Sequence, residues 1–467
     1  MAAGAASLAG CSRMVNEVAR RELPTDLRLP PNPEPTARLL GRVGFGPRPG
    51  ELSEVAAIGP GTWVHQQLAP DASDDPALML QLAQFEALSE DAAELRDDPD
   101  WNVTQQLSAA AILRATYSRW PLRERMVDLW TNHFNIYADK ARGAFRKPTD
   151  DLKVIRTHAL GTFPEMLAAS AKSPAMLTYL DNQLNDRRHP NENYARELME
   201  LHTLGVHGGY TQRDVMNVAR CFTGWTVENR FLRPRGTFRF DADQHDDGEK
   251  LVLGHVITSG GGVSDGEEVL AILGAHPSTA RFIASKLTRT FLGKTEGPWV
   301  DRLANIYLQT KGDIPSMLEP LLTSDDLVNG EPIPKRPFDF LVSALRVTGA
   351  ATDGIGVQAY LDRMGQPLFS WPMPDGYPDR AAAWTGSMLG RWNFAHDLTH
   401  GAAPGAGVNA SELLASTHAD PARAAVIVVL SRPTGSDDPV LDTLRSSKGD
   451  ANGLLALALS SPEFQYR

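Results

Sequence analysis

An all-α fold, one large multi-helix domain with a single small β-hairpin, is what this 467-residue sequence predicts, on three observations. Apolar residues recur at helical spacing in segment after segment from Thr36 onward. Strand-like alternation is confined to the stretch Gly236–Leu253. Gly (39) and Pro (33) are frequent enough to punctuate a chain of many short helices. With 42% apolar and 22% charged residues the chain can bury a sizeable core. No period of about 20–50 residues repeats, so a solenoid is not indicated.

The first eleven residues end in Leu8-Ala9-Gly10-Cys11, the pattern of a bacterial lipoprotein cleavage box in which the Cys11 thiol takes a lipid. A full secretory signal also has a basic region and an apolar stretch of about 7–15 residues, and no Lys or Arg precedes Cys11. The expectation is therefore a partial lipoprotein signal over 1–11, with the true start and its basic region upstream of Met1. Residues 12–35 carry Pro24, Pro30, Pro31, Pro33 and Pro35 beside polar residues and read as an extended tether. From 36 to 467 a single helical domain is expected. Its first helices are read over Ala37–Val43, Pro49–Ile58, Gly61–Leu68, Pro76–Leu88 and Trp101–Trp120. Further on, Thr237–Phe240 is expected to pair with Lys250–Leu253 across the polar loop Asp241–Glu249, and Ser259–Gly266 reads as a mobile loop.

Lys and Arg (46) against Asp and Glu (57) leave a net charge of −11, which argues against nucleic acid and anionic lipid headgroups as partners. Only Cys11 and Cys221 are present, so disulfide frameworks and four-thiolate zinc sites are excluded. Nothing downstream offers about 18 consecutive apolar residues, so contact with a membrane is expected through the Cys11 lipid alone.

Two predicted helices carry unusual polar content. The first starts at Pro121 and places Met126, Trp130, His133 and Tyr137 on one stripe. A buried imidazole needs its nitrogens satisfied, so His133 is either a hydrogen-bonded core residue or a base or ligand. The second runs from Glu192 to Leu204 and stops at Gly205. Ala195, Leu198, Met199 and His202 share one side; Asn193, Arg196, Glu197 and Glu200 share the other, with Glu192/Arg196 and Arg196/Glu200 spaced for ion pairs. Those acids read either as a solvated face or as proton carriers or metal ligands. On an α-helix Glu197 and His202 lie about 140° apart and cannot chelate together without a different backbone or another helix.

Thr211-Gln212-Arg213-Asp214 has the form of a capping box that opens the next helix, an ordinary cap or a weak anion site. The loop holding Asp241, Asp243, His245, Asp246 and Asp247 fails the calcium-loop template, because the last ligand position falls on Gly254. His245 and Asp246 are left as a hydrogen-bonded pair, as ligands donated elsewhere, or as part of a solvated acidic loop. Gly262-Val263-Ser264-Asp265-Gly266 matches a nucleophile-elbow pattern by letter but follows a glycine run, and Gly293-Lys294-Thr295 lacks the first glycine of a P-loop.

The run His189-Pro190-Asn191-Glu192-Asn193-Tyr194-Ala195-Arg196-Glu197-Leu198-Met199-Glu200-Leu201-His202-Thr203-Leu204-Gly205-Val206, continued by Gly209-Tyr210-Thr211 and Phe222-Thr223-Gly224-Trp225, resembles the signature of the bacterial domain-of-unknown-function 1800 family. Leu39–Pro47, Arg125–Phe134 with its Trp-x-x-His-Phe, Ser173–Leu177, Leu180–Asn182, Thr279–Leu287 and Ser461–Gln465 resemble other segments of it, so the likeness spans roughly residues 36–467. Where members often carry Pro-Pro-Asn-Val-x-Gly-Trp, this chain has Ser370-Trp371-Pro372-Met373-Pro374-Asp375-Gly376-Tyr377. The resemblance implies an exported, largely helical bacterial protein, often encoded beside a partner of another uncharacterised family that resembles alkaline-phosphatase-type hydrolases; the Cys11 signal in turn points to the cell envelope or periplasm. It implies no reaction.

Two classes of function stay open. One is an enzyme whose site forms where the His133 helix meets the Glu192–Leu204 helix, with His133, Arg196, Glu197, Glu200, His202 and His245 as candidates for acid–base work or metal binding. A haem version ranks lower, since no Cys-x-x-Cys-His is present, and no cofactor is assigned. The other is a lipid-tethered binding or assembly protein, working with a partner encoded nearby, in which the same polar residues fix helix packing.

Overall fold

Prolines open many of the helices, where a missing N–H costs nothing and the fixed φ suits the first turn. Pro33, Pro121, Pro277, Pro337 and Pro421 all stand in that position. In the computed structural model these helices dominate, and the described residues hold three two-stranded antiparallel sheets. The structure describes residues 21–467 except 72, 141–142, 231–232, 234–235 and 436, together with 15, 18 and 19. Cys11 and the remainder of the lipoprotein signal lie outside the described residues.

Eight helices bear on the site and on the charge chemistry around it: α1 (Pro33–Val43), α2 (Asp100–Tyr117), α3 (Pro121–His133), α4 (Glu192–Glu197), α5 (Gln212–Cys221), α6 (Val263–Ala275), α7 (Pro277–Leu292) and α8 (Pro337–Val347). One apolar cluster is built from α1 and α3–α7 and a second from α8 and the C-terminal helices. Buried ion pairs cross between them. Arg125 of α3 pairs with Asp339 of α8, and Arg346 of α8 pairs with Glu51 at 2.9 Å. No helix among the described residues is long and apolar enough to cross a membrane.

The predicted α-helices are present with shifted ends. Pro33 rather than Ala37 begins α1, and the expected helix Pro76–Leu88 splits into Pro76–Leu82 and a short 3-10 turn Glu86–Leu88. Residues 21–30 form neither helix nor strand and lie against the domain: Leu27 N–H donates to the Ser416 carbonyl at 2.8 Å and Arg21 pairs with Asp75 at 2.7 Å.

The hairpin expectation needs correction. Both predicted strands exist, but they belong to different sheets. β2 (Phe238–Phe240) pairs with β1 (Trp225–Val227), and β3 (Lys250–Val252) pairs with β4 (His255–Ile257). The reason is local: Leu253 (φ 49°) and Gly254 (φ 83°) both adopt left-handed geometry, the two-residue turn that closes a tight hairpin, so β3 finds its partner immediately downstream. The third sheet joins β5 (Ala351–Thr352) to β6 (Ala406–Gly407). Residues 263–266, expected within a loop, form the first turn of α6, and Ser264 there is exposed. Gly293 is the left-handed stop of α7 and not part of a phosphate loop.

Candidate functional site

The stripe on α3 is buried as its spacing predicts: Met126 and Trp130 are fully buried and His133 is 2% exposed. Tyr137 falls beyond the helix, which ends at His133. α4 begins under an Asn191 side-chain cap and, after Glu197, widens into a π-helical segment, Leu198–Thr203. The Thr203 hydroxyl donates to the Leu198 carbonyl at 2.7 Å, five residues back, and Gly205 (φ 78°) turns the chain away. The different backbone that a joint use of Glu197 and His202 requires is thus present. Even so, His202 is 1% exposed among aromatic rings, while Glu197 sits half-buried on the rim.

His133 and His202 come together. The His133 Nε2–H donates to the main-chain carbonyl of His202 at 3.1 Å, one of the end-of-helix carbonyls that lack an intrahelical donor. That bond fixes the tautomer and leaves Nδ1 of His133 as a bare acceptor; among the described residues it has no partner, and neither has Nε2 of His202. The two rings lie 5.9 Å apart at their centroids, and Trp130, Phe134, Phe163 and Phe282 ring them at 4.4 to 6.1 Å from His133. Burial holds both imidazoles neutral, His133 well below the ordinary histidine range and His202 down to about 3, with the nearby Lys286 ammonium adding to the effect.

Lys286 is a residue that sequence reasoning did not single out. It stands on α7, one turn beyond Phe282, with its Nζ 5.1 Å from that ring. It makes no hydrogen bond or ion pair among the described residues, and burial brings its amine down to about 8 despite Asp379 and Asp375 nearby. Glu197 on the rim likewise has no hydrogen-bond or ion-pair partner; burial, with Glu200 and Asp375 close by, pushes its carboxyl upward. Tyr210 is pushed up to about 12, by burial first and then by its contact with Glu200. The one advance signal for Lys286 is its i,i+4 spacing from Phe282 on a helix whose next face is core.

Residues 371–377 cover this junction. Asn135 donates to the carbonyls of Trp371 (3.0 Å) and Met373 (2.7 Å), and the Tyr179 hydroxyl donates to the carbonyl of Pro372 at 2.8 Å. Asn132 exchanges hydrogen bonds with the main chain of Tyr377 at 3.0 and 2.7 Å. Gly376 (φ 76°) allows the approach: a Cβ there would sit 2.3 Å from the Asn132 carbonyl. Asp375, within reach of Lys286, Glu197 and Tyr179 electrostatically, is delivered by this segment.

The other candidates do not join the site. Arg196 is committed to Glu192 (3.0 Å) and Glu200 (3.6 Å), the ion pairs its spacing predicts, and donates to the Gln212 side-chain oxygen at 2.9 Å. His245 is buried elsewhere. Its Nδ1–H donates to the Thr223 carbonyl at 2.8 Å, and its Nε2 faces Asp265 of α6 at 3.2 Å; Lys250 of β3 donates to the same carboxylate. Asp246 pairs with Arg220 at 2.7 Å. The Thr211/Asp214 box caps α5 with both of its reciprocal bonds, at 3.2 and 2.8 Å. Burial pushes the Cys221 thiol up to about 12, so it stays protonated and inert.

Among the described residues no three His, Cys, Asp or Glu side chains are placed to hold a metal ion. No curated protein and no solved structure matches the chain. A family model does match, over residues 38–466, and by that near-complete coverage the chain belongs to the family described as protein of unknown function (DUF1800).

Proposed function

We propose that this protein is an enzyme of acid–base chemistry whose site lies where α3, the π-helical end of α4 and α7 meet beneath residues 371–377. One observation carries the reading: two buried neutral imidazoles each keep an unpartnered nitrogen beside Lys286, a lysine with no acceptor. Unsatisfied buried nitrogens are costly, and they persist where a water, ion or substrate group completes them. Lys286, with its amine near 8, and Glu197, with its raised carboxyl, reach solvent and are the groups that meet substrate; His133 and His202 lie behind them. Two imidazoles fall short of a four-ligand structural metal site, so the acid–base form is preferred to the metal form.

The test has two parts. Competitive acylation followed by peptide mass spectrometry should find Lys286 labelling at pH 8 faster than the exposed Lys153; ordinary labelling removes the basis of the proposal. On a panel of chromogenic esters, phosphoesters and glycosides, turnover should fall about 10²-fold or more in Lys286→Met and in Glu197→Gln. Undiminished turnover in both variants would refute it.

A second reading rests on different residues. Arg196, Glu200 and His245 sit in closed networks, as in a cell-envelope binding or assembly protein whose polar groups fix helix packing. Recovery of a stable partner from the native host favours it. With either reading we propose export and lipid attachment at Cys11. Mass spectrometry of the native N-terminus checks this, an unmodified Met1 or Ala2 counting against it.

A further inference from the structure

A cavity of about 270 Å³ lies between α1, α8 and the C-terminal tail, and it shares no residue with the site described above. Its wall is formed where the tail pairs antiparallel with residues 333–335: Lys335 N–H donates to the Gln465 carbonyl at 2.8 Å, and Ile333 and Arg467 exchange main-chain bonds at 2.9 and 2.8 Å. This pairing sets the side chains of Lys335 and Arg467 beside Arg38 and Arg42 of α1. A fifth cation, Arg432, enters from the end of the helix Pro421–Leu430.

The charge in this cavity is not balanced. Its two acidic side chains are Glu463, held by Arg432 at 2.6 Å, and Glu34, which is exposed, and the main-chain carboxyl oxygen of Arg467 accepts from Ile333 N–H at 2.9 Å, which leaves the five cationic side chains in excess. Among the described residues Arg38, Arg42 and Arg467 donate only to main-chain carbonyls, Arg42 to Gly330 at 3.0 Å and Arg467 to Thr290 at 3.0 Å. Carbonyls satisfy the donors but do not cancel the charge, and the Nε of both Arg42 and Arg467 is left buried without an acceptor. Lys335 is the sharpest case. It is 7% exposed, its ammonium stands 3.6 Å over the Phe464 ring, and it has no hydrogen-bond acceptor among the described residues. Burial and the neighbouring cations bring Arg42 to about 10, Arg467 to about 9 and Lys335 to about 7. Asp339, the acid nearest to Lys335 electrostatically, is already bound by Arg125 and Arg336.

We propose that this cavity is a binding site for a small oxyanion of sulfate or phosphate type, free or at the end of a small ester, held by Lys335, Arg38, Arg42 and Arg467. Guanidinium and ammonium groups converging on a sheltered cavity supply the charge-assisted hydrogen bonds such an anion takes. The ion in turn cancels the cation repulsion. The volume is several times that of the oxyanion itself, which leaves room for an ester.

Calorimetric titration of the full chain with sulfate and, in parallel, with glycerol 3-phosphate tests this, chloride holding the ionic strength constant. Saturable 1:1 binding is expected, weakened at least tenfold in Lys335→Met and in the surface variant Arg38→Ala, and unchanged in Lys153→Ala. Similar affinities identify the free ion, and a tighter ester identifies the ester. Sulfate keeps its charge between pH 6 and 8.5, so its affinity should fall over that range as Lys335, facing Asp339, Arg391, Arg467 and Arg125, loses its proton. No saturable binding of either anion at pH 6, or binding unaltered in both pocket variants, overturns the proposal.

Discussion

Two buried histidines in this molecule have opposite surroundings. His245 is closed on both sides, by the Thr223 carbonyl and by an Asp265 carboxylate that also holds Lys250. His133 is closed on one side only, and its neighbours His202 and Lys286 are open as well. The same residue types therefore do different work. Where the imidazole's nitrogens are both matched, the network joins β3, α6 and the turn that follows α5 and reads as scaffold. Around His133 and His202, by contrast, two ring nitrogens lie inside an aromatic shell with no partner among the described residues, the feature on which the proposed acid–base site rests.

The largest effect expected from this contrast is on the closed network. Asp265→Ala strips the carboxylate from both His245 and Lys250 and leaves an uncompensated charge in the core. Urea unfolding should show a loss of about 3–5 kcal/mol, the range for removing one partner of a buried ion pair. A loss below about 1 kcal/mol would mean that this network is no more structural than the open one.

Next comes the cover over the open site. Gly376→Ala introduces a methyl 2.3 Å from the Asn132 carbonyl at a φ of 76°. It should cost about 1–3 kcal/mol and raise amide exchange across residues 371–377 before the rest of the chain. Uniform exchange in the variant would show that the segment is not an independent cover.

How far the sequence foretold this contrast differs from residue to residue. His133 was legible because Met126, Trp130 and His133 fall on one stripe, and the α4 stop because Gly205 supplies the left-handed turn. The Thr211/Asp214 box was legible for the same kind of local reason. The partners were not. Asp265 reaches His245 from a different helix, Lys286 and Asp375 arrive from distant segments, and no local spacing encodes either meeting. The π-helical stretch, in which Leu198, Met199 and His202 are all buried, departs from the ideal 3.6-residue period that a sequence pattern assumes. The β3–β4 turn is hidden in the sequence because Leu253-Gly254 is not the usual Asn-Gly form of a tight turn.

The pH dependence of stability reports on the open site. His133 and His202 stay neutral in the fold, His202 down to about 3, whereas in the unfolded chain they titrate near 6.5. Below 6.5 the unfolded state therefore binds more protons. Stability is full above that pH and falls as pH drops toward the folded values, by at most about 1.4 kcal/mol per unit for each imidazole. Denaturant unfolding between pH 7 and 4 should show this slope, and His202→Phe should remove about half of it. An unchanged slope in the variant would place the bare nitrogens in contact with solvent.

The smallest expected effect is the most discriminating for the open site. Lys286 pays for burial without a counterion, since Asp379 is paired with Arg289 at 3.1 Å. Replacing it with Met keeps the apolar stem against Phe282 and removes the charge, so Lys286→Met should be neutral or up to about 1 kcal/mol more stable at pH 7. The gain should shrink as pH rises from 8 toward 10.5, because the wild-type amine, brought to about 8, becomes neutral in the fold while the unfolded one stays charged. A lysine that can be removed without loss of stability is not there for the fold. If Lys286→Met instead destabilises by 2 kcal/mol or more, the lysine is structural and the two regions are scaffold alike.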